Sequence, residues 1–514
     1  MVQKYFLSLA AISCIFSVSA FGLTLKESVI EVLNTNPVVQ ERLKNYRATQ
    51  QDLNIAESEY YPTIDLRATA GTNNAGKQYD HVVNTDYTNY ETSLQLTQNL
   101  FDGFGTMYKV DYQQARILAA AYNYVEKSND SALKMTSAYL NVMRSYELLK
   151  TEKENVSIND DIYKKVKDLY DAGLTTASEV KKVESSLALA HSNYIVQETN
   201  THDTEYNFKR LLGRMPEPSE MQRPNFDFPM PQSQERATLY AVDHNPSLLV
   251  SRYNIKGAQA LWKQKKKDYY PKVDMEVSQF YNDASKTNAF DQPDDRFRAR
   301  LVLTYNLFRG GADSADIQKS VSSIDQEIEI KRDLKRQVIE GLDLSWNAYE
   351  NIGKQLQSLR EYSKFSDKTL ELYKEEYDLG RRSLLDLLSS QNDVINARSQ
   401  IIKAEYDYLL AKYRVLDAMG LLVLAVTGDE SKYTSQVNLY TNSEAKEILD
   451  IVPTKLDVDH DNVPDNLDLC DNSLHEDNIM PDGCKKSAKE SNTNTMVEIQ
   501  KQPSNTQKTV SSKE

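Results

Sequence analysis

Four short segments of this chain alternate apolar and polar residues. They lie at 63–70, 93–97, 273–277 and 297–307. Alternation with a period of two predicts β-strands of about ten residues, each with one apolar and one polar face. Such strands suit a membrane-spanning barrel, because lipid contacts one face and a wet lumen the other. For the strands alone, a two-faced sheet of a soluble protein is the alternative.

Stretches with the helical spacing of apolar residues flank these strands, and the longest of them contain no proline. Each strand pair follows a predicted helix of about 36 residues, over 24–59 and 233–268. Each pair precedes a longer predicted helix, over 106–171 and 312–379, which reaches about 100 Å at 1.5 Å per residue. A glycine turn and a return helix of about 39 residues complete each half. The second return helix repeats apolar residues every seven positions, which predicts a coiled-coil seam: Val394, Ile401, Tyr408 and Val415.

The two halves are an internal duplication with an offset of about 207 to 209 residues, far longer than a solenoid repeat. Matching motifs keep this offset steady, and each half has the same order of predicted elements. The matches are Asn36-Pro37 with Asn245-Pro246, Tyr60-Tyr61-Pro62 with Tyr269-Tyr270-Pro271, Asn99-Leu100-Phe101 with Asn306-Leu307-Phe308, and Gly173 with Gly380.

The N-terminus has the pattern of an export signal. Lys4 precedes an apolar run, and Val18-Ser19-Ala20 supplies the small residues typical of signal-peptidase cleavage after Ala20. The predicted layout is a signal peptide over 1–20, a first repeat over 21–213, a proline-rich linker over 214–232, a second repeat over 233–422, an acidic and polar connector over 423–456, a calcium-type segment with a cysteine pair over 457–484, and a disordered tail over 485–514.

Composition narrows the function classes. The chain has 514 residues, a formal net charge of -14 and a mean hydropathy of -0.61. The low hydropathy excludes a bundle of membrane-spanning helices, and the negative charge argues against a nucleic-acid partner. The six histidines show no ligand or triad spacing and the glycines form no phosphate-cradling loop, so an enzyme is not expected.

Four strands cannot close a barrel, and a strand in lipid needs every backbone group paired. Other copies must therefore complete the structure. Three copies supply twelve strands, which lies within the range of known barrels, and their long helices continue the wall away from the membrane. The predicted fold is an α+β membrane protein, a homotrimeric 12-stranded β-barrel continued by an α-helical coiled-coil tunnel in the periplasm. The connections over 71–87 and 281–296 are then the outer loops.

Over about 23–422 the chain resembles the TolC-like outer-membrane efflux and secretion channels. The resemblance rests on the duplicated element order, the two Tyr-Tyr-Pro and Asn-Leu-Phe motifs, and two tip motifs over 172–180 and 379–388. It implies a trimeric duct in the outer membrane that carries substrate from an inner-membrane transporter to the exterior. A periplasmic adaptor, or membrane fusion protein, contacts its helical tip. The residues matched to adaptor contact are Gly173, Leu174, Gly380, Arg381, Ser383 and Leu384.

The resemblance also implies a gate that rests closed at the tip. Matched by motif, Arg382 pairs with Ser178 and Glu179, Tyr377 hydrogen-bonds near Glu179, and Asp386 contributes to a carboxylate ring at the aperture. Ser389 stands where many relatives have a second aspartate, which predicts a less negative aperture. The alternative is a solvated tip whose ion pairs contribute about 0.2 to 1 kcal/mol each.

The C-terminal extension contains a calcium-type loop. Carboxylates occupy positions 1, 3, 5, 9 and 12, and the backbone carbonyl of position 7 is available, which is the oxygen spacing of a calcium site: Asp457, Asp459, Asp461, Asp465, Asp468 and Val463. An acidic linker is the alternative. The pair Cys470 and Cys484 favours a disulfide over free thiols or a metal pair in an exported chain. The segment resembles thrombospondin type 3 calcium repeats.

Three functions compete on sequence alone. The duct needs no cofactor for transport, and its strands and tip motifs distinguish it from the second hypothesis, a non-conducting coiled-coil scaffold or adhesin stalk. Within the duct hypothesis, the calcium-type extension and the absence of a lipid signal favour type I protein secretion with an ABC transporter. The runner-up within the duct hypothesis is multidrug or small-molecule efflux with a proton-driven pump, and the scaffold or stalk is the more distant alternative. Outer-membrane lipid is a partner in both duct hypotheses.

Overall fold

A computed structural model describes residues 23–75, 85–284, 294–428 and 436–437. The predicted signal peptide, calcium-type loop, cysteine pair and tail lie outside these residues. The described elements, in chain order, are α1 (Leu25–Thr35), α2 (Pro37–Glu57), β1 (Thr63–Ala75), β2 (Thr85–Phe101), α3 (Gly105–Asp171), α4 (Ala177–Leu212), α5 (Gln234–His244), α6 (Pro246–Lys265), β3 (Lys272–Ala284), β4 (Asp294–Thr304), α7 (Ala312–Asp378), α8 (Leu384–Ala418) and α9 (Leu422–Thr427).

In each repeat the first predicted helix is in fact two helices, α1 and α2 or α5 and α6. The prediction of single helices over 24–59 and 233–268 is therefore wrong. Asn36 has an extended backbone and its side chain accepts a hydrogen bond from the Val38 amide at 2.9 Å, which caps α2. Asn245 caps α6 in the same way. The following proline has no N–H to donate, so it fits the first position of the new helix and ends the previous one.

Each capping asparagine also links two helices within its own repeat. The Asn36 side-chain amide donates to the Leu211 carbonyl at 3.1 Å, at the end of α4. The Asn245 amide donates to the Ala418 carbonyl at 2.9 Å, at the end of α8. One asparagine therefore caps an entering helix and satisfies a carbonyl of the returning helix, whose last carbonyls lack partners within the helix.

The four strands form one antiparallel sheet in the order β1-β2-β3-β4. The pairing of β2 with β3 joins the two repeats, and a register shift lies between Asn99 and Phe101. The strands extend to Ala75 and Ala284 and begin at Thr85 and Asp294, so the outer connections are shorter than the predicted 71–87 and 281–296. The polar ends of the strands stay in the ladder because their backbone groups still pair across it.

The two long helices match their predicted length. α3 and α7 have 67 residues each, which corresponds to about 100 Å. α4 and α8 return antiparallel to them, and α3 packs on both α4 and α6. Among the residues that the structure describes, no helix combines the length and apolar character needed to span a bilayer.

The main core lies in the middle of α3, where its alanine and tyrosine side chains face α1, α2 and the linker. Tyr139 is fully buried there, and its hydroxyl lies 2.8 Å from the Leu23 carbonyl and 2.7 Å from the Gln222 carbonyl. The connector is not purely polar where it begins, because Leu422 and Val423 of α9 and Val437 join this core. Burial of a tyrosine whose hydroxyl has partners holds the linker against α3.

Candidate functional site

The two helical hairpins end in identical glycine turns. In the first, the Leu174 amide donates to the Leu169 carbonyl and the Gly173 amide to the Tyr170 carbonyl, each at 2.8 Å. The Gly380 turn repeats both bonds at 2.8 Å. This is the Schellman arrangement, which requires a left-handed residue, and φ is +75° at Gly173 and +69° at Gly380. The predicted tip glycines therefore terminate α3 and α7.

A hydroxyl residue starts each return helix. The side chain of Thr176 accepts from the Glu179 amide, and that of Ser383 accepts from the Asp386 amide at 3.2 Å. The Ser383 hydroxyl also lies 2.8 Å from an Asp386 carboxylate oxygen. Carboxylates in the first turn are favoured by the positive end of the helix dipole. Asp386 and Glu179 thus stabilise the helix starts in addition to any role in a gate.

A small apolar cluster holds the two hairpin tips together. Val166 of α3 and Val183 of α4 pack against Leu384 and Leu388 of α8, and all four are buried. Tyr377 of α7 packs on the edge of this cluster. Its burial, reinforced by the charges of Glu179 and Asp378, raises the pKa of the Tyr377 hydroxyl. The tips therefore contact each other through buried side chains rather than through salt bridges.

The predicted pairing of Arg382 is wrong within the protomer. Arg382 Nε donates to a Glu376 carboxylate oxygen at 2.8 Å, its guanidinium lies 4.1 Å from the Tyr373 ring centroid, and Asp386 is 3.9 Å away. Its partners lie on its own hairpin because the glycine turn brings the start of α8 beside the end of α7. The motif match fixes the position of Arg382 along the chain but not the direction of its side chain.

The predicted partners of Arg382 are engaged elsewhere. Glu179 accepts a hydrogen bond from the Thr175 hydroxyl, and the Ser178 hydroxyl lies 2.8 Å from that of Thr176. No hydrogen bond joins Tyr377 to Glu179 in the part of the chain that the structure describes, although the two are close enough to interact electrostatically. The first tip thus makes its polar contacts locally, as the second tip does.

One of the residues matched to adaptor contact is buried in the structure. Leu384 is only 3% exposed and belongs to the apolar cluster, so an adaptor cannot reach it in this conformation. Leu385, the next residue on α8, is 59% exposed, and Leu174 is 75% exposed. The exposed leucines occupy the tip surface because consecutive helix residues point about 100° apart.

A polar contact between the linker and the second repeat lies farther from the tips, and the sequence reasoning missed it. Arg223 of the linker and Arg360 of α7 both donate to Glu405 of α8, at 2.7 and 3.0 Å. Burial alone would raise the pKa of Glu405, but the two guanidinium groups outweigh burial and hold its pKa below the usual value. The one signal in the sequence for such a contact is a charged residue, Arg223, next to Pro224 in the linker.

The contact extends to α3. Tyr406 donates to a Glu147 carboxylate oxygen at 2.5 Å, and the Arg223 guanidinium lies 5.0 Å from the Tyr406 ring centroid. Arg144 of α3 pairs with Asp407 at 2.8 Å. We call the group of Arg144, Glu147, Arg223, Arg360, Glu405, Tyr406 and Asp407 the linker clasp. It joins α8 directly to α3 and α7, and Arg223 connects the linker to α8.

The two faces of the sheet differ sharply. Leu66, Phe297 and Leu301 lie on one face and are exposed apolar side chains. The other face carries arginines on β4. Arg300 pairs with Glu276 at 2.7 Å, whereas no carboxylate within the described residues lies at ion-pair distance from Arg298. A sheet with an apolar face toward solvent and a charged opposite face is the pattern of a wall between lipid and water.

The described ranges contain no group of three or more His, Cys, Asp or Glu side chains placed to hold a metal ion. The predicted calcium ligands, from Asp457 to Asp468, and the pair Cys470 and Cys484 lie outside the described residues. The calcium site therefore stays a prediction from the sequence.

Comparisons with known proteins agree with this architecture. The family model "Outer membrane efflux protein" matches residues 29–214 and 240–421. The chain is 24% identical to the outer membrane efflux protein BepC of Brucella suis, over 78% of this chain and 86% of that protein. It is 22% identical to the outer membrane protein TolC of Escherichia coli, over 79% and 85% of the two chains.

A secretion protein and a solved channel are also similar. The alkaline protease secretion protein AprF of Pseudomonas aeruginosa is 20% identical over 78% of this chain and 85% of its own. The crystal structure of the CmeC outer membrane channel of Campylobacter jejuni superimposes with a TM-score of 0.69, at 14% identity, over 80% of this chain and 90% of that one. The structural match confirms the predicted protomer fold of four strands and long helical hairpins.

Proposed function

This chain belongs to the outer membrane efflux protein family, and from that premise we propose that it is a duct for type I protein secretion whose periplasmic end rests closed. Members of the family are outer-membrane channels with a helical tunnel in the periplasm, so the predicted location and the expectation that the chain is not an enzyme are confirmed. They work as trimers with adaptor proteins and inner-membrane transporters.

The observation that carries the closed gate is the apolar cluster between the hairpin tips. Leu388 of α8 and Val183 of α4 are buried against each other's hairpins, while the surrounding ion pairs are exposed. Exposed pairs contribute only about 0.2 to 1 kcal/mol each, and those at the tips lie within a single hairpin, so the apolar cluster is the contact between the hairpins that an adaptor must break. The α7–α8 hairpin then moves away from α3–α4, and the exposed Leu174 and Leu385 offer apolar surface to the adaptor.

Single-channel recording in planar bilayers tests the gate. Arg382→Ser removes the contact with Glu376, and Asp386→Asn removes the aperture carboxylate. Within the protomer the contacts of Arg382 and Asp386 stay inside the α7–α8 hairpin, so the proposed gate requires these side chains to contact a neighbouring copy in the trimer as well. On that basis we expect each variant to raise the open fraction by up to about fivefold, which corresponds to about 1 kcal/mol. Lys181→Ser is the matched control, since Lys181 is an exposed tip cation paired within its own helix to Glu184. Unchanged currents in both gate variants would exclude these residues from the gate.

Protein secretion and small-molecule efflux require different inner-membrane transporters. Similarity to AprF supports a protein-secretion system, and similarity to BepC supports efflux as the second candidate. Crosslinking in cells, followed by identification of the inner-membrane partner, distinguishes an ABC transporter from a proton-driven pump. Cells lacking this chain should retain proteins normally found in the medium. Greater sensitivity to toxic small molecules with an unchanged set of secreted proteins would instead support efflux.

We also propose that the segment from Asp457 to Asp468 binds one Ca²⁺ ion. Five aspartates at calcium-loop positions, with Asn462 at the position where glycine is usual, support this site. Titration calorimetry of the full chain with CaCl₂ should give heat that disappears in the double variant Asp457→Asn and Asp459→Asn. If the double variant gives the same heat as the original chain, calcium binds at a different site. If the original chain gives no heat, the segment is an acidic linker that does not bind calcium.

A further inference from the structure

The two repeats meet where β2 pairs with β3, and we call this pairing the inter-repeat seam. It includes a side-chain contact at the end of the sheet next to the helices. Asn99 lies near the end of β2, Asp274 lies near the start of β3, and the two are register partners. The Asn99 side-chain amide donates to the Asp274 carboxylate at 2.9 Å, and Asp274 is buried. A hydrogen bond between an amide and a carboxylate at this position fixes the strand register at the seam.

Both partners of this bond recur in the other repeat. Asn306 is the asparagine of the second Asn-Leu-Phe motif, and Asp65 stands three residues after the first Tyr-Tyr-Pro, as Asp274 does after the second. Asp65 lies on β1 and Asn306 lies two residues beyond the end of β4, and these two strands are the opposite edges of the sheet. Within the described protomer, Asp65 accepts no side-chain hydrogen bond. The same pair is thus present a second time, with its members separated.

The glycine turns give a second, independent observation. A Cβ atom on Gly103 would lie 2.6 Å from the Lys267 carbonyl oxygen and 2.8 Å from the Tyr270 Cβ, so this turn packs tightly on the start of the second sheet half. Gly310 is its counterpart and has nearly the same φ, +62° against +68°, yet a Cβ there would meet nothing within 4 Å. Phe308 beside it is 84% exposed.

The surface that corresponds to Tyr270 in the first repeat lies at the β1 edge of the sheet, and it is also exposed. Tyr61 is the counterpart of Tyr270 and is 70% exposed. Farther along the helices, the stacked pair Tyr122 and Tyr253, with ring centroids 5.6 Å apart, has Glu329 and Lys44 as its counterparts. Opposite charges therefore stand where the inter-repeat seam has two packed rings, which suits a contact between separate copies.

We propose that a second copy of this chain binds the β4 edge in the register of the inter-repeat seam, so that Asn306 of one copy donates to Asp65 of the next. Gly310 then receives the backbone near Ser58 of the next copy, and Glu329 lies beside Lys44 of the next copy. The proposal rests on the trimeric channel assembly but adds its register. Three such bonds close the twelve-stranded barrel, as three equivalent bonds join its repeats.

Disulfide trapping tests the register in the full chain, with the three natural cysteines replaced by serine. Asn306→Cys with Asp65→Cys should give covalent trimers, because register partners in an antiparallel pair place Cα atoms about 4.5 to 5.5 Å apart. Asn99→Cys with Asp274→Cys is the positive control and should close within one chain. Asn306→Cys with Arg67→Cys is the register control, since Arg67 lies two residues farther along the same face, and it should crosslink poorly.

A charge exchange supplies a readout that does not depend on cysteine. Asn306→Asp places two carboxylates together and should reduce the fraction of trimer that survives mild detergent. Adding Asp65→Asn restores an amide–carboxylate pair and should recover most of the trimer. Trimers that crosslink through Arg67, or that fail to recover in the double variant, would overturn the register while leaving the channel assembly intact. A monomeric original chain would overturn the assembly itself.

Discussion

Leu388 offers the sharpest test of the closed gate. Its side chain is 3% exposed at the centre of the tip cluster, between α8 and the α3–α4 hairpin. Leu388→Ala removes three buried carbon atoms without touching any charge. We expect it to favour the open state, because the lost contact exists only while the hairpin tips are together. Leu385→Ala, on the exposed side of the same helix, is the matched control.

The expected effect of Leu388→Ala on the ratio of open to closed protomers follows from the burial of the leucine side chain. Three carbon atoms at about 0.8 kcal/mol each give about 2.4 kcal/mol, and a residual cavity raises the cost toward the range of about 2.7 to 5 kcal/mol seen for buried leucines. A cost of 2.4 kcal/mol changes the ratio of open to closed protomers by about 50-fold if opening separates the cluster completely. The exposed Arg382–Glu376 pair lies within one hairpin, so its removal changes the same ratio by at most about fivefold.

Planar bilayer recordings of the purified trimer measure this ratio as the open fraction. Thermal unfolding in detergent, monitored by circular dichroism, establishes that the variant is folded. An open fraction for Leu388→Ala that stays at the original value in a folded trimer would refute the role of the cluster. An equal increase for Leu385→Ala would also refute it, because that change leaves the buried contact intact.

Further variants test the remaining contacts. Glu405→Gln should lower the unfolding temperature modestly at about pH 7, and the difference from the original chain should shrink as the pH is lowered below the ordinary carboxyl pKa. The depressed pKa means that the stabilisation is present above the ordinary carboxyl pKa and is lost as pH falls through the lowered value. Asn245→Ala should cost about 1 kcal/mol of unfolding free energy, measured by denaturant titration, because α6 loses its cap. Arg298→Gln should shift the reversal potential in a salt gradient toward cation preference, by about twofold in permeability ratio, whereas Arg67→Lys should not.

The linker clasp lies where the proposed gate would need a pivot. In the proposed opening, α7 and α8 move relative to α3 at the tips, and the clasp contacts all three helices. Its charged contacts are partly exposed, so they weaken when strained rather than trapping a buried charge. Such contacts suit a pivot that stays joined while the far ends separate.

The local elements of the protein were determined by local sequence. The alternation at 63–70, the long runs without proline and the tip glycines correctly placed the strands, the 67-residue helices and their turns. These features obey short-range rules of periodicity and backbone conformation, which need no knowledge of distant residues. Asn36-Pro37 carried the signal for a helix break as well, since a capping asparagine before proline starts a new helix.

Side-chain partners were decided only by the tertiary structure. Arg382 contacts Glu376 rather than Glu179, Leu384 is buried rather than exposed, and Arg223 reaches Glu405 at a distance of 182 positions along the chain. A helix motif specifies where a residue stands along its own axis, but the rotation of neighbouring helices sets which side chain meets it. That rotation follows from the packing of the whole bundle, so no local pattern encodes it.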